Sequence, residues 1–148
     1  MSPPVLGTTT VSRALEVTAN VDSTVEELYC YLTNENLLSH WLCKKAEADV
    51  TKGGKFALWL DDESKTEPDI EGQFMNVVEN KTMQYAWVDS KRKIRSLVTI
   101  VLAQKENRVR IDLYHTSLPM DEKYDQTYYD YARFWKAKFD RLIEHLSS

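Results

Sequence analysis

The sequence predicts an α+β protein of the helix-grip type. In that fold a curved antiparallel sheet of about six or seven strands wraps round one long C-terminal helix, with two short helices after the first strand. Three observations lead there. Near the C-terminus, Tyr128, Tyr131, Trp135, Phe139, Leu142 and Leu146 recur at steps of three and four, with Asp130, Arg133, Lys136, Asp140, Arg141 and Glu144 between them. That is the spacing of a long helix with one apolar stripe and one wet face. Upstream, residues 46–115 break into short β-branched runs separated by Gly, Asn and acidic turns, the texture of an antiparallel meander. A sheet of that size curls, and a helix laid across its concave side buries both apolar faces in one step.

The elements follow in order. Residues 1–10, with Pro3, Pro4, Gly7 and three consecutive threonines, have no periodicity and read as a flexible tail, leaving residues 11–148 as a single domain. Over residues 11–21, Leu15, Val17 and Ala19 alternate with polar or small residues, which marks a first strand with one buried face. Asp22 or Ser23 is the expected cap of a first short helix carrying Val25, Leu28, Tyr29 and Leu32, with Glu26 and Glu27 in its first turn. Asn34 caps a second, carrying Leu37, Leu38 and Trp41. Strands are expected at 46–51 and 55–60, joined across Gly53 and Gly54, then at 70–78, 82–88, 95–103 and 108–115, with Asn80 and Asn107 in the turns. The acidic run 61–69, which contains Pro68, reads as a mobile loop. Pro119 and Asp121 supply the start signal for the last helix, over residues 121–146.

Composition narrows the function classes. A chain of 148 residues, 43% of them hydrophobic, can bury roughly 70% of the surface its unfolded form exposes, enough for one core. The formal net charge of −4 gives no general basis for neutralising phosphates, so nucleic acid is not an expected partner. The one basic run, Lys91, Arg92, Lys93 and Arg95, reads as a solvated loop. The opening residues carry neither a charged leader nor a long apolar run, so no membrane span is expected and the expected location is cytoplasmic. Cys30 and Cys43 lie in apolar helical surroundings and read as free core thiols.

No motif for a nucleotide, a nucleophile elbow or a metal is present, so no catalytic residue, metal or cofactor is assigned. Glycine loops for phosphate need several glycines at fixed spacing, and the chain has only four glycines. His40 and Cys43 lie close in sequence but lack a second pair, and the acidic run lacks the alternating ligands of a calcium loop. His115 stands out because it shares a strand face with Val109, Ile111 and Leu113 and so points toward the last helix. A buried imidazole there either orients a polar ligand, acts as a base, or is satisfied by its neighbours.

Residues 23–41, STVEELYCYLTNENLLSHW, resemble the opening helical motif of the SRPBCC superfamily, in the branch named after the activator of the heat-shock protein 90 ATPase. Further similarity lies in Gly53 and Gly54 followed by Phe56, in GQFMNVVENKTMQYAW from Gly72, in LVTIVL from Leu97, in HTSLP from His115 and in Trp135. The resemblance implies a START-like fold, similar to the birch-pollen allergen, with a cavity between sheet and helix. Phe134 stands where family members often have Gly, and its side chain takes room that glycine leaves to a ligand.

The leading expectation is non-enzymatic binding of a small hydrophobic molecule in that cavity, lined by Phe74, Tyr85, Trp87, Ile111, Leu113, His115, Tyr128 and Trp135. One alternative is a co-chaperone-like module acting on the heat-shock protein 90 ATPase. Another is a cyclase- or hydrolase-like enzyme using His115 as acid and base.

Overall fold

The computed structural model describes residues 12–147, so the tail expected at residues 1–10 lies outside the described residues. Strand β1 (Ser12–Val21) is followed by helices α1 (Val25–Thr33) and α2 (Glu35–Leu38). Strands β2 (Lys45–Ala48), β3 (Lys55–Trp59), β4 (Ile70–Val78), β5 (Thr82–Asp89), β6 (Ile94–Lys105) and β7 (Arg108–Pro119) then run as a meander. A 3₁₀ turn (Glu122–Tyr124) leads into helix α3 (Asp125–Ser147). All pairings are antiparallel, in the order β1-β7-β6-β5-β4-β3-β2, so the first strand closes the sheet against the last. This is the helix-grip arrangement the sequence predicts.

Period-two alternation sets the inner face. On β6, Ile94, Ser96, Val98, Ile100 and Leu102 are buried while their neighbours are not, and on β7 Val109, Ile111, Leu113 and His115 are buried likewise. Helix α3 answers with Tyr131, Trp135, Phe139 and Leu142, all buried on one stripe. The short helices close one end of this interior. Trp41 meets Phe139 with ring centres 6.3 Å apart, and its indole donates to the Tyr31 carbonyl at 2.8 Å.

Several boundaries differ from the sequence expectation, each for a local reason. The cap of α1 is Thr24, whose hydroxyl accepts from the Glu27 N–H at 3.1 Å, while Ser23 is turned inward and bonds the Glu27 carboxylate at 2.7 Å. Asn34 caps α2 as expected, but that helix ends at Leu38 and Trp41 lies in the turn beyond it. Strand β2 runs earlier than expected because Asp49, Thr51 and Gly54 are used in turn hydrogen bonds. Of the glycine pair only Gly53, at φ +85°, uses the left-handed region; Gly54 is there for room, since a Cβ would sit 2.0 Å from the Asp49 carbonyl oxygen. The turn before β7 holds Asn107 as expected, and Glu106 beside it takes positive φ. Strand β7 continues past His115 to Pro119, with Ser117 at φ +61°, so Pro119 ends a strand and α3 itself starts at Asp125.

The acidic segment 61–69 is a loop, as expected, with several anchors: the Trp59 indole donates to the Lys65 carbonyl at 3.0 Å, and Asp69 accepts from Leu60 N–H at 2.7 Å and pairs with Lys65. One further expectation needs correction. Cys43 is buried, and burial pushes its thiol up to about 11, but Cys30 is exposed; both are free thiols.

Candidate functional site

The centre of the grip is an aromatic and polar cluster contributed by β5, β6, β7 and α3. Trp87 touches His115 at 5.6 Å, Trp135 at 5.1 Å, Tyr131 at 6.3 Å and Phe134 at 6.1 Å between ring centres, so the middle of the interior is occupied by side chains. Phe134 also meets Trp135 at 5.1 Å. Edge-on and tilted arrangements of this kind contribute stability beyond that of the area each ring buries.

The polar atoms in this cluster are matched one to one. The Trp135 indole N–H donates to His115 Nδ1 at 3.0 Å. An indole can only donate, so Nδ1 accepts and the imidazole proton is assigned to Nε2. Nε2 lies 2.7 Å from Ser96 Oγ, and the Ser96 hydroxyl in turn reaches the Trp87 carbonyl at 3.3 Å. A second chain starts from the same tryptophan: its indole donates to Tyr131 Oη at 3.3 Å, and the Tyr131 hydroxyl donates to Asp89 Oδ2 at 2.5 Å.

Asp89 is a carboxylate only 3% exposed, and its charge is met on every side. Oδ1 accepts the Lys91 and Arg92 backbone N–H groups at 3.0 Å each, and Oδ2 takes the Arg92 guanidinium at 3.1 Å. Arg92 extends to Asp130 on α3 at 3.4 Å and lies over the Tyr131 ring. Burial pushes the His115 imidazole down to about 3, with the Asp89 charge opposing, so the ring is neutral. Burial and then the hydrogen bond to Asp89 push the Tyr131 phenol up. A neutral imidazole with both nitrogens engaged has little left to offer a substrate. What the cluster does is clamp helix to sheet.

The residues named from the sequence fall in three places. Trp87, His115 and Trp135 form the cluster itself, and Ile111 and Leu113 floor it from β7. Phe74 and Tyr85 pack together farther along at 5.7 Å, with Phe56 4.5 Å from Tyr85. Tyr128 stands apart, half-buried beneath Arg13, whose guanidinium carbon is 5.2 Å above its ring while Arg13 pairs with Asp125 at 2.7 Å. Asp89, Ser96 and the Tyr131–Asp89 link were not anticipated. The signal was there in parity: Asp89 follows Tyr85 and Trp87 at steps of two, and Ser96 sits between Ile94 and Val98.

Two open grooves flank this interior, and neither is lined by the eight residues. One, of about 980 Å³, lies on the outer sheet face, floored by Ala57, Trp59, Ala86 and Val88 and rimmed by charges such as Lys45, Glu47, Glu71 and Arg95. The other, of about 640 Å³, is the seam between β1 and α3. Residues 15–20 of β1, with Leu15, Val17 and Ala19 alternating with the polar Glu16, Thr18 and Asn20, form one wall, Ala132, Phe139 and Ile143 the other, with Arg108, Lys136 and Asp140 at the rim. It lies where α3 runs along β1, the edge strand of the sheet.

Sheet order, helix placement and the clamped centre define a helix-grip domain of the START-like class. The chain belongs to the family described as Activator of Hsp90 ATPase homolog 1-like protein, whose profile matches residues 22–147. Solved structures agree. The chain resembles protein MLL2253 from Mesorhizobium loti at 22% identity and TM-score 0.78, covering 91% of this chain and 97% of that one. It resembles CalU16 from Micromonospora echinospora at 20% identity and TM-score 0.72, covering 88% and 74%. With PFC0360w, an HSP90 activator from Plasmodium falciparum, it shares 26% identity at TM-score 0.61, covering 76% and 78%. No curated protein matches the chain. Among the described residues no helix is long and apolar enough to cross a membrane.

Proposed function

We propose that the protein is a non-enzymatic binding domain whose ligand, a small apolar molecule, lies between sheet and C-terminal helix in the seam beside β1. The observation that carries this reading is the groove of about 640 Å³, with apolar side chains of β1 and α3 facing each other among polar neighbours. Its size and lining suit a ligand pocket. In this reading Trp87, Ile111, Leu113, His115 and Trp135 back the seam, Phe74 and Tyr85 pack farther along the interior, and Tyr128 stands toward the N-terminal end of α3.

The test is calorimetry with dodecanoate as probe. Saturable binding to the natural chain, weakened about tenfold or more by Ala132→Trp, which fills the seam, supports the proposal. Equal binding by the variant removes the seam as the site.

A second reading is favoured by the family and by the similarity to an HSP90 activator: a module that acts on the heat-shock protein 90 ATPase through its surface. Stimulated turnover of purified chaperone by this chain supports it, and unchanged turnover counts against it. An enzyme using His115 as acid and base finds less support, because both ring nitrogens are engaged within the core. A cytoplasmic location fits the exposed free thiol of Cys30.

A further inference from the structure

The outer face of the sheet carries the larger of the two grooves, about 980 Å³, and nothing in the clamped centre or the seam uses it. Strand register lays its side chains out in rows. Glu47 of β2 stands opposite Ala57 of β3, Ala57 opposite Glu71 of β4, Glu71 opposite Val88 of β5, and Val88 opposite Arg95 of β6. All five line the groove, and Glu71 and Arg95 are exposed. The row thus reverses its charge about Val88, with a carboxylate one strand to one side and a guanidinium one strand to the other, on backbones about 10 Å apart. Neither enters an ion pair among the described residues. Lys45 is taken up by Glu47 and the Trp59 ring, and Lys55 stands one row on, opposite Gln73.

From this arrangement we infer that the outer face is where two copies of the chain meet, sheet to sheet, about a two-fold axis running along β5. In such a contact the same patch serves both copies, so what lies on one side of the axis meets what lies on the other. Glu71 of each copy then faces Arg95 of the other, and both contacts join opposite charges. A row with one sign on both sides of Val88 would set like against like. The floor allows the approach: Ala57, Ala86 and Val88 are short, so sheets packed about 10 Å apart leave room between them for the longer Glu71 and Arg95 side chains. The seam lies on the helix side of the sheet and stays open in this dimer.

The test is sedimentation velocity of the full chain at low salt, alongside Glu71→Arg and Arg95→Glu. The natural chain is expected to form dimers with Kd of about 1 to 100 μM, in the range of small reversible interfaces. Either variant alone opposes like charges in both contacts and should weaken the dimer about tenfold or more. An equimolar mixture of the two variants sets a copy with two bases against a copy with two acids, and should dimerise as the natural chain does. Both positions are exposed, so the fold is kept. A natural chain that stays monomeric up to about 0.5 mM, single variants that dimerise as well as the natural chain, or a mixture no stronger than its separate components overturns the inference.

Discussion

Trp135 of α3 donates its indole N–H to His115 Nδ1 of β7 across 3.0 Å, and neither residue is exposed to water. This one hydrogen bond fixes the imidazole tautomer, and through Nε2 it extends the helix's hold to Ser96 on the neighbouring strand. The helix is thus attached to the sheet by direction as well as by apolar area.

Removing the ring should be costly. His115→Ala leaves a void beside Trp87 and orphans the Trp135 N–H, so a loss of about 3 to 5 kcal/mol is expected by urea denaturation. A loss under about 1 kcal/mol would mean that the cluster is looser than the distances say.

The same histidine makes stability fall with acid. Its folded value, near 3, lies below its ordinary 6.5, so below pH 6.5 the unfolded chain binds a proton that the folded chain refuses. Stability from this group is present above pH 6.5 and is lost as pH falls toward 3, at up to about 1.4 kcal/mol per pH unit. Urea denaturation at several pH values should show a shallower slope for His115→Gln than for the natural chain. Identical slopes would place the ring's titration elsewhere.

On the other side of Trp87, Tyr131→Phe deletes one hydroxyl and leaves both the tryptophan N–H and an Asp89 oxygen short of a partner. A cost of about 1.5 to 3 kcal/mol is expected, read as a lowered Tm. Asp89 keeps Arg92 and two backbone donors, so the variant should still fold.

Gly72 on β4 is a packing glycine. A Cβ there would lie 1.8 Å from the carbonyl oxygen of Ala86 on the paired strand, so Gly72→Ala should separate β4 from β5 and abolish soluble folded protein. A folded variant of near-natural Tm would show that the strands can part at low cost.

The helix stripe was legible because a 3.6-residue period repeated over more than five turns admits one reading, and the inward aim of His115 was legible because Val109, Ile111 and Leu113 share its parity. Asp89 and Ser96 obeyed the same parity, yet polarity alone argued for solvent. Their partners, Tyr131 and His115, lie 42 and 19 residues away, and only tertiary structure brings them together. Caps and turns were misplaced by one or two residues where two candidates stood side by side, as with Ser23 and Thr24. The seam was invisible for another reason: a groove is set by the distance between two backbones, which residue type at Val17 or Ile143 does not encode.

The claim that the grip is filled at its centre and receives its ligand at the seam is tested most directly by amide NMR of labelled protein titrated with dodecanoate. Shift changes confined to Leu15, Val17, Ala19, Ala132, Phe139 and Ile143, with Trp87, His115 and Trp135 still, are expected. Changes centred on Trp87, His115 and Trp135, or none at all up to about 1 mM ligand, would contradict it.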